Sequence, residues 1–157
     1  MLHALEALAR GERTEADRRL DAAEVYLPKW KPDVIARIVR PFMRELDGER
    51  GALAASVASL AAEHRWTHRQ RIWHQAMYLL GTIDEQAFLG QPNRSQADAE
   101  MLVLRAMRRE VAGRRAEALA DWRAYLAKPT WRRSINLPGA LDSLATWRIA
   151  ALEIQSP

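Results

Sequence analysis

The sequence predicts an all-α protein built from stacked antiparallel helical hairpins with a C-terminal capping helix, and three observations carry that expectation. Strong helix formers (alanine, leucine, arginine and glutamate) dominate the chain. Apolar residues recur at helical spacing, and no stretch shows the strict alternation of a strand. Glycines punctuate the helical pattern at a nearly constant interval: Gly11, Gly48, Gly81 and Gly113 are 37, 33 and 32 residues apart.

Nine helical segments follow, at about 2–10, 14–27, 33–46, 52–64, 68–80, 83–89, 96–112, 115–127 and 139–153. The first is a short run that stops before Gly11. In the second, Ala16, Leu20, Ala23 and Leu27 form one stripe, which must be buried against a neighbour. Thr14 with Asp17 reads as its capping pair, and Leu27-Pro28 as its stop. The third opens at Pro32, whose fixed φ suits a first helical turn. Pro41 lies inside it and is expected to kink or split the helix, because proline removes one backbone hydrogen bond and clashes with the preceding turn. Leu53, Val57, Leu60 and Ala61 give the fourth segment its stripe. Three further capping pairs, Thr67 with Gln70, Thr82 with Glu85 and Ser95 with Asp98, mark the starts of the fifth, sixth and seventh. Gly90-Gln91-Pro92-Asn93-Arg94 is the clearest loop, and Lys128-Pro129 ends the eighth segment. The ninth carries Leu141, Leu144, Ala145 and Leu152 among Asp142, Ser143, Thr146 and Arg148, the mixed character of a helix that covers the last hairpin.

A chain of 157 residues predicts one domain, spanning 1–157. Its 48% apolar and 28% charged content is that of a globular protein. There is no cysteine, which excludes disulfides, thiolate nucleophiles and Cys-ligated zinc. Neither a signal peptide nor an apolar run near the roughly 20 residues of a membrane span is visible, so a cytoplasmic location is expected. The net charge of +4 is carried almost wholly by arginine; with the many alanines, this bias suggests a GC-rich bacterial genome.

The glycine-to-glycine units share more than their length. Five residues after the glycine come Ala16, Leu53 and Ala118; nine after, Leu20, Val57 and Trp122; twelve after, Ala23, Leu60 and Tyr125. This pattern resembles the tetratricopeptide repeat, whose period is about 34 residues. Residues 99–132 resemble one such repeat, with Ala106 and Ala118 at its small positions, Trp122 at its aromatic and Pro129 near its closing proline. Arg105, Tyr125 and the short helix ending at Gly90 depart from it. The resemblance implies a solenoid in which each hairpin contacts only its neighbours. The short start before Gly11 then means either a ragged first repeat or a piece of a longer solenoid.

The resemblance also implies a function: binding another protein, as an adaptor, chaperone-like holder or regulatory part, through a groove lined by the first helices of each pair. Carried over residue by residue, that groove comprises Arg71, Gln75 and Tyr78, then Val103, Met107 and Glu110. Val103 and Met107 suit an amphipathic helix or an extended apolar peptide, although core packing explains them equally well. The alternative is nucleic-acid binding by the Arg/Trp-rich segment from Glu63 to His74, provided that Arg65, Arg69, Arg71, Arg105 and Arg109 share one surface. His64 and His68 are four residues apart but lack a well-spaced third ligand, so no metal is expected. No phosphate loop, catalytic triad or HExxH motif is present, so neither enzymatic activity nor a cofactor is expected. Trp30 and Trp131, beside prolines, are candidate exposed anchors.

Overall fold

The computed structural model describes residues 2–10, 12–26, 34–64, 70–91, 96–133 and 140–154. Among them every regular element is helical. The helices are α1 (Leu2–Ala9), α2 (Arg13–Tyr26), α3 (Arg40–Leu46), α4 (Ala52–His64), α5 (Gln70–Leu79), α6 (Glu85–Leu89), α7 (Ala97–Val111), α8 (Arg115–Ala127) and α9 (Ala140–Ile154). A π-helical turn, Ile35–Val39, runs into α3, and a 3-10 turn, Thr130–Arg132, follows α8.

The repeating glycines act as expected where they are described. Gly48, Gly81 and Gly113 have φ of +96°, +76° and +74°, a region that favours glycine because it lacks Cβ. The three turns share one bonding pattern. Each glycine N–H donates three residues back, to Glu45, Tyr78 and Glu110. The next N–H donates five back, from Glu49 to Arg44, Thr82 to Met77 and Arg114 to Arg109, at 2.8–3.0 Å. This is the Schellman stop, which satisfies helix-end carbonyls. Glu12 N–H bonds Ala7 O at 2.9 Å in the same five-back relation, while Gly11 lies outside the described residues.

Pro41 does not split its helix: a π-helical turn precedes it and continues into α3 through Val39 and Arg40 in right-handed helical conformation, and the freed groups are accounted for. Upstream, Arg40 N–H reaches five residues back to Ile35 O, which is the π-turn. Proline offers no N–H to the carbonyl four residues back, on Arg37. Ser56 Oγ of α4 donates to that carbonyl at 2.9 Å, joining the two helices. Glu45 then reaches across the turn, and its carboxylate accepts from Gly51 N and Leu53 N at 2.9 Å, capping α4.

The capping expectations need correction. Thr14 lies within the first turn of α2, which begins at Arg13. At α6 the cap is Asp84, two residues beyond Thr82; its carboxylate accepts from Ala87 N at 2.8 Å, and a charged acceptor suits a helix N-terminus better than a hydroxyl. Thr67 and Ser95 lie outside the described residues, and Gln96 precedes α7 without a side-chain cap bond.

The main core joins Leu20, Ile35, Ile38, Phe42, Val57, Leu60, Met107, Trp122, Tyr125 and Leu144. A smaller cluster around Phe88, Tyr78, Met101 and Leu104 pins the five-residue α6. Helix α7 is central, packing against α3, α5, α6 and α8. Successive helices pack as hairpins, α1 with α2, α4 with α5, α7 with α8 and α8 with α9. One contact departs from a chain of neighbour-only hairpins: α9 packs on α1 as well as on α8. An eight-residue helix is too short to stand alone, and α1, whose Ala4 and Ala7 are fully buried, lies between α2 and α9.

Candidate functional site

The six residues expected to line a groove lie on α5 and α7, and five of them are buried. Val103 and Met107 belong to the main core, because α7 is enclosed by four other helices. Tyr78 stacks beneath Arg108, whose guanidinium lies 4.8 Å from the ring centre and also donates to Tyr78 O. Burial pushes the Tyr78 phenol above its ordinary pKa. Gln75 is buried, with Oε1 unsatisfied. Arg71 is half-buried and paired with the buried Glu100; burial lowers its pKa. Glu110 is buried, accepting from Trp122 Nε1 at 3.1 Å and from Arg148. Among the described residues, Arg71, Tyr78 and Glu110 tie helices together, while Val103 and Met107 fill the core.

Surface exposure occurs elsewhere. The ends of α3, α5 and α7 and the start of α4 enclose a cleft of about 200 Å³. Its walls are Leu53, Ala54, Leu79, Val111 and Ala112, flanked by Glu45 and Arg108. Val111 is 38% exposed, and Leu80, which follows Leu79, is 37% exposed. The cleft thus lies where helices stop at Gly48, Gly81 and Gly113. Its sequence signal was the apolar residue shortly before a stop glycine, Leu79 and Leu80 before Gly81 and Val111 before Gly113. Helical periodicity assigns those residues to a stripe and says nothing of which stripe ends are left uncovered.

Trp131 is the most exposed described aromatic, at 75%. It sits on the 3-10 turn, whose backbone is held by Gln96 Nε2 donating to Trp131 O at 3.1 Å. Arg132 lies 5.7 Å from its ring centre. Asp98 accepts from Lys128 at 2.6 Å and Arg132 at 3.3 Å, tying this turn to α7. The exposure expected of Trp131 is therefore present, while Trp30 lies outside the described residues.

Among the described residues, the arginines invoked for nucleic acid are each paired with carboxylates. Of the five arginines invoked for nucleic acid, Arg65 and Arg69 lie outside the described residues. Arg71 pairs with Glu100, Arg105 with Asp121 and Glu85, and Arg109 with Asp121 and Glu117. The Asp121 hydrogen bonds, opposed by burial, raise the Arg105 pKa. A charged hollow of about 460 Å³ between α2 and α3 is likewise self-neutralised, by Arg13–Asp47, Arg40–Asp17 and Arg44–Glu49 pairs. His68 and the His64 side chain lie outside the described residues. His74 packs edge-on against Trp73, with ring centres 4.9 Å apart. Among the described residues no group of three His, Asp or Glu side chains is placed to hold a metal, and no helix is long and apolar enough to cross a membrane.

Compared with known protein families, curated proteins and solved structures, the chain matches none.

Proposed function

We propose that the protein is a tetratricopeptide-like interaction module of the bacterial cytoplasm that binds a partner protein through an apolar segment, best an amphipathic helix. The observation that carries this reading is the cleft at the turn edge, where Leu79, Val111 and Ala112 meet Leu53 and Ala54 between the opposite charges of Glu45 and Arg108. A hollow of about 200 Å³ accommodates one or two apolar side chains, and flanking charges set the orientation of what enters. Trp131 supplies a second, separate anchor, since exposed tryptophans are frequent energetic centres of interfaces. The shared bonding pattern of the three glycine stops supports the repeat-like reading.

The test is affinity capture from lysate with nuclease present, comparing the full chain with Val111→Lys and Trp131→Ala. Val111→Lys places a cation at a helix C-terminus, where the helix dipole tolerates it. A stoichiometric protein partner retained by the parent chain and lost with Val111→Lys is expected. Equal capture by the parent and both variants sinks the reading, as does a partner that disappears with nuclease.

A further inference from the structure

A second cavity, of about 250 Å³, opens between α3, α7 and α9 and shares no lining residue with the apolar cleft. One wall is apolar, formed by Met43, Leu46, Trp147 and Leu152. The other is charged. Arg148 is only 8% exposed, donates to Glu110, and lies 4.5 Å from the centre of the Trp147 ring. Its Nε is buried with no acceptor. Arg115, at the start of α8, lines the same cavity and has no carboxylate partner among the described residues.

The carboxylates present are already engaged. Glu110 accepts from both Trp122 and Arg148, and Asp47 pairs with Arg13. The charge left over at the cavity is that of Arg115, beside a guanidinium with an unused donor. A guanidinium matches a carboxylate in shape and charge. An apolar cavity of about 150 Å³ is enough for a benzene ring, so this one has room for a ring plus a carboxylate.

We infer that this cavity binds a small organic anion, a carboxylate on a compact aromatic or aliphatic body, with Arg115 and Arg148 facing the charge and Met43, Leu46, Trp147 and Leu152 covering the body. The site is independent of the partner-binding reading: either can fail without the other.

Benzoate is the probe, with benzamide as its uncharged counterpart and benzylamine as its cationic one. The readout is the Trp147 indole N–H resonance of the full chain, identified by its loss in Trp147→Phe. Benzoate is expected to shift it saturably, with a dissociation constant on the order of 1 mM or tighter. Benzamide is expected to bind about tenfold more weakly, and Arg115→Gln to weaken benzoate by a similar factor. Arg115→Lys, which keeps the charge, retains most of the binding and controls for folding. No saturable shift overturns the proposal. Equal binding of benzamide, stronger binding of benzylamine, or an Arg115→Gln variant as tight as the parent also overturns it.

Discussion

In the unit formed by α7, α8 and α9, two of the carboxylates are inside: Glu110 is held by Arg148 and Trp122, and Asp121 accepts from Arg105 at 2.7 and 3.0 Å and from Arg109 at 2.6 Å. In α2, α3 and α4 carboxylates are outside: Asp17 and Asp21 meet Arg40, and Glu63 meets Arg37, above a core of Ile35, Ile38, Phe42, Val57 and Leu60. The first region depends on the geometry of a few directional bonds, because a buried charge without its partner is expensive. The second depends on apolar area, which is insensitive to direction, and its surface pairs contribute little. The two regions should therefore answer differently to the loss of a carboxylate.

The largest effect is expected from Glu110→Ala, which leaves the buried Arg148 guanidinium and Trp122 N–H without their acceptor and should cost about 3–5 kcal/mol in urea denaturation. Replacing Arg148 by methionine in addition should recover part of that loss, since the uncompensated cation is gone. A cost below about 1 kcal/mol for Glu110→Ala would break the contrast. Asp121→Ala should cost about 2–3 kcal/mol, less than Glu110→Ala because Arg105 and Arg109 still reach solvent. Gly113→Ala should cost about 1–2 kcal/mol: a Cβ there meets nothing within 4 Å, so the penalty is that of positive φ alone, and Gly113→Asn should be milder. Glu63→Ala, on the surface side of the comparison, should change stability by less than about 1 kcal/mol, and less still at high salt.

The smallest effect concerns pH. Arg18 and Arg19 hydrogen-bond the Glu15 carboxyl and hold it down at about 2. Because the folded value lies below the ordinary one of 4.5, its contribution to stability is present above the ordinary value and lost as pH falls toward 2. A carbon-detected NMR titration should place its midpoint there, and Arg18→Ala should raise it.

Much of the fold was legible in the sequence because it rests on local physics. Helix-forming composition, stripes at i and i+4, and glycines tolerant of positive φ all act within a turn or two of chain, so segment positions and the stops at Gly48, Gly81 and Gly113 could be read directly. Pro41 was legible for the same reason: it removes its own hydrogen bond whatever surrounds it. Caps were less legible, since Thr82 and Asp84 both satisfy the local pattern and only the backbone path selects one.

The six groove residues mark where local reasoning ends. Val103, Met107 and Glu110 show the same helical spacing whether their face is open or enclosed, and burial depends on what lies against that face. The tertiary arrangement of α3, α5, α6 and α8 around α7 buried them. That arrangement also placed Arg148 against Glu110, 38 residues apart, and brought α9 onto α1. The sequence alone determined the helices and the points where they stop, because backbone propensity and glycine geometry are short-range. Only the tertiary structure decided which stripe faces solvent, which carboxylate is buried and where cavities remain, because those follow from packing between segments distant along the chain.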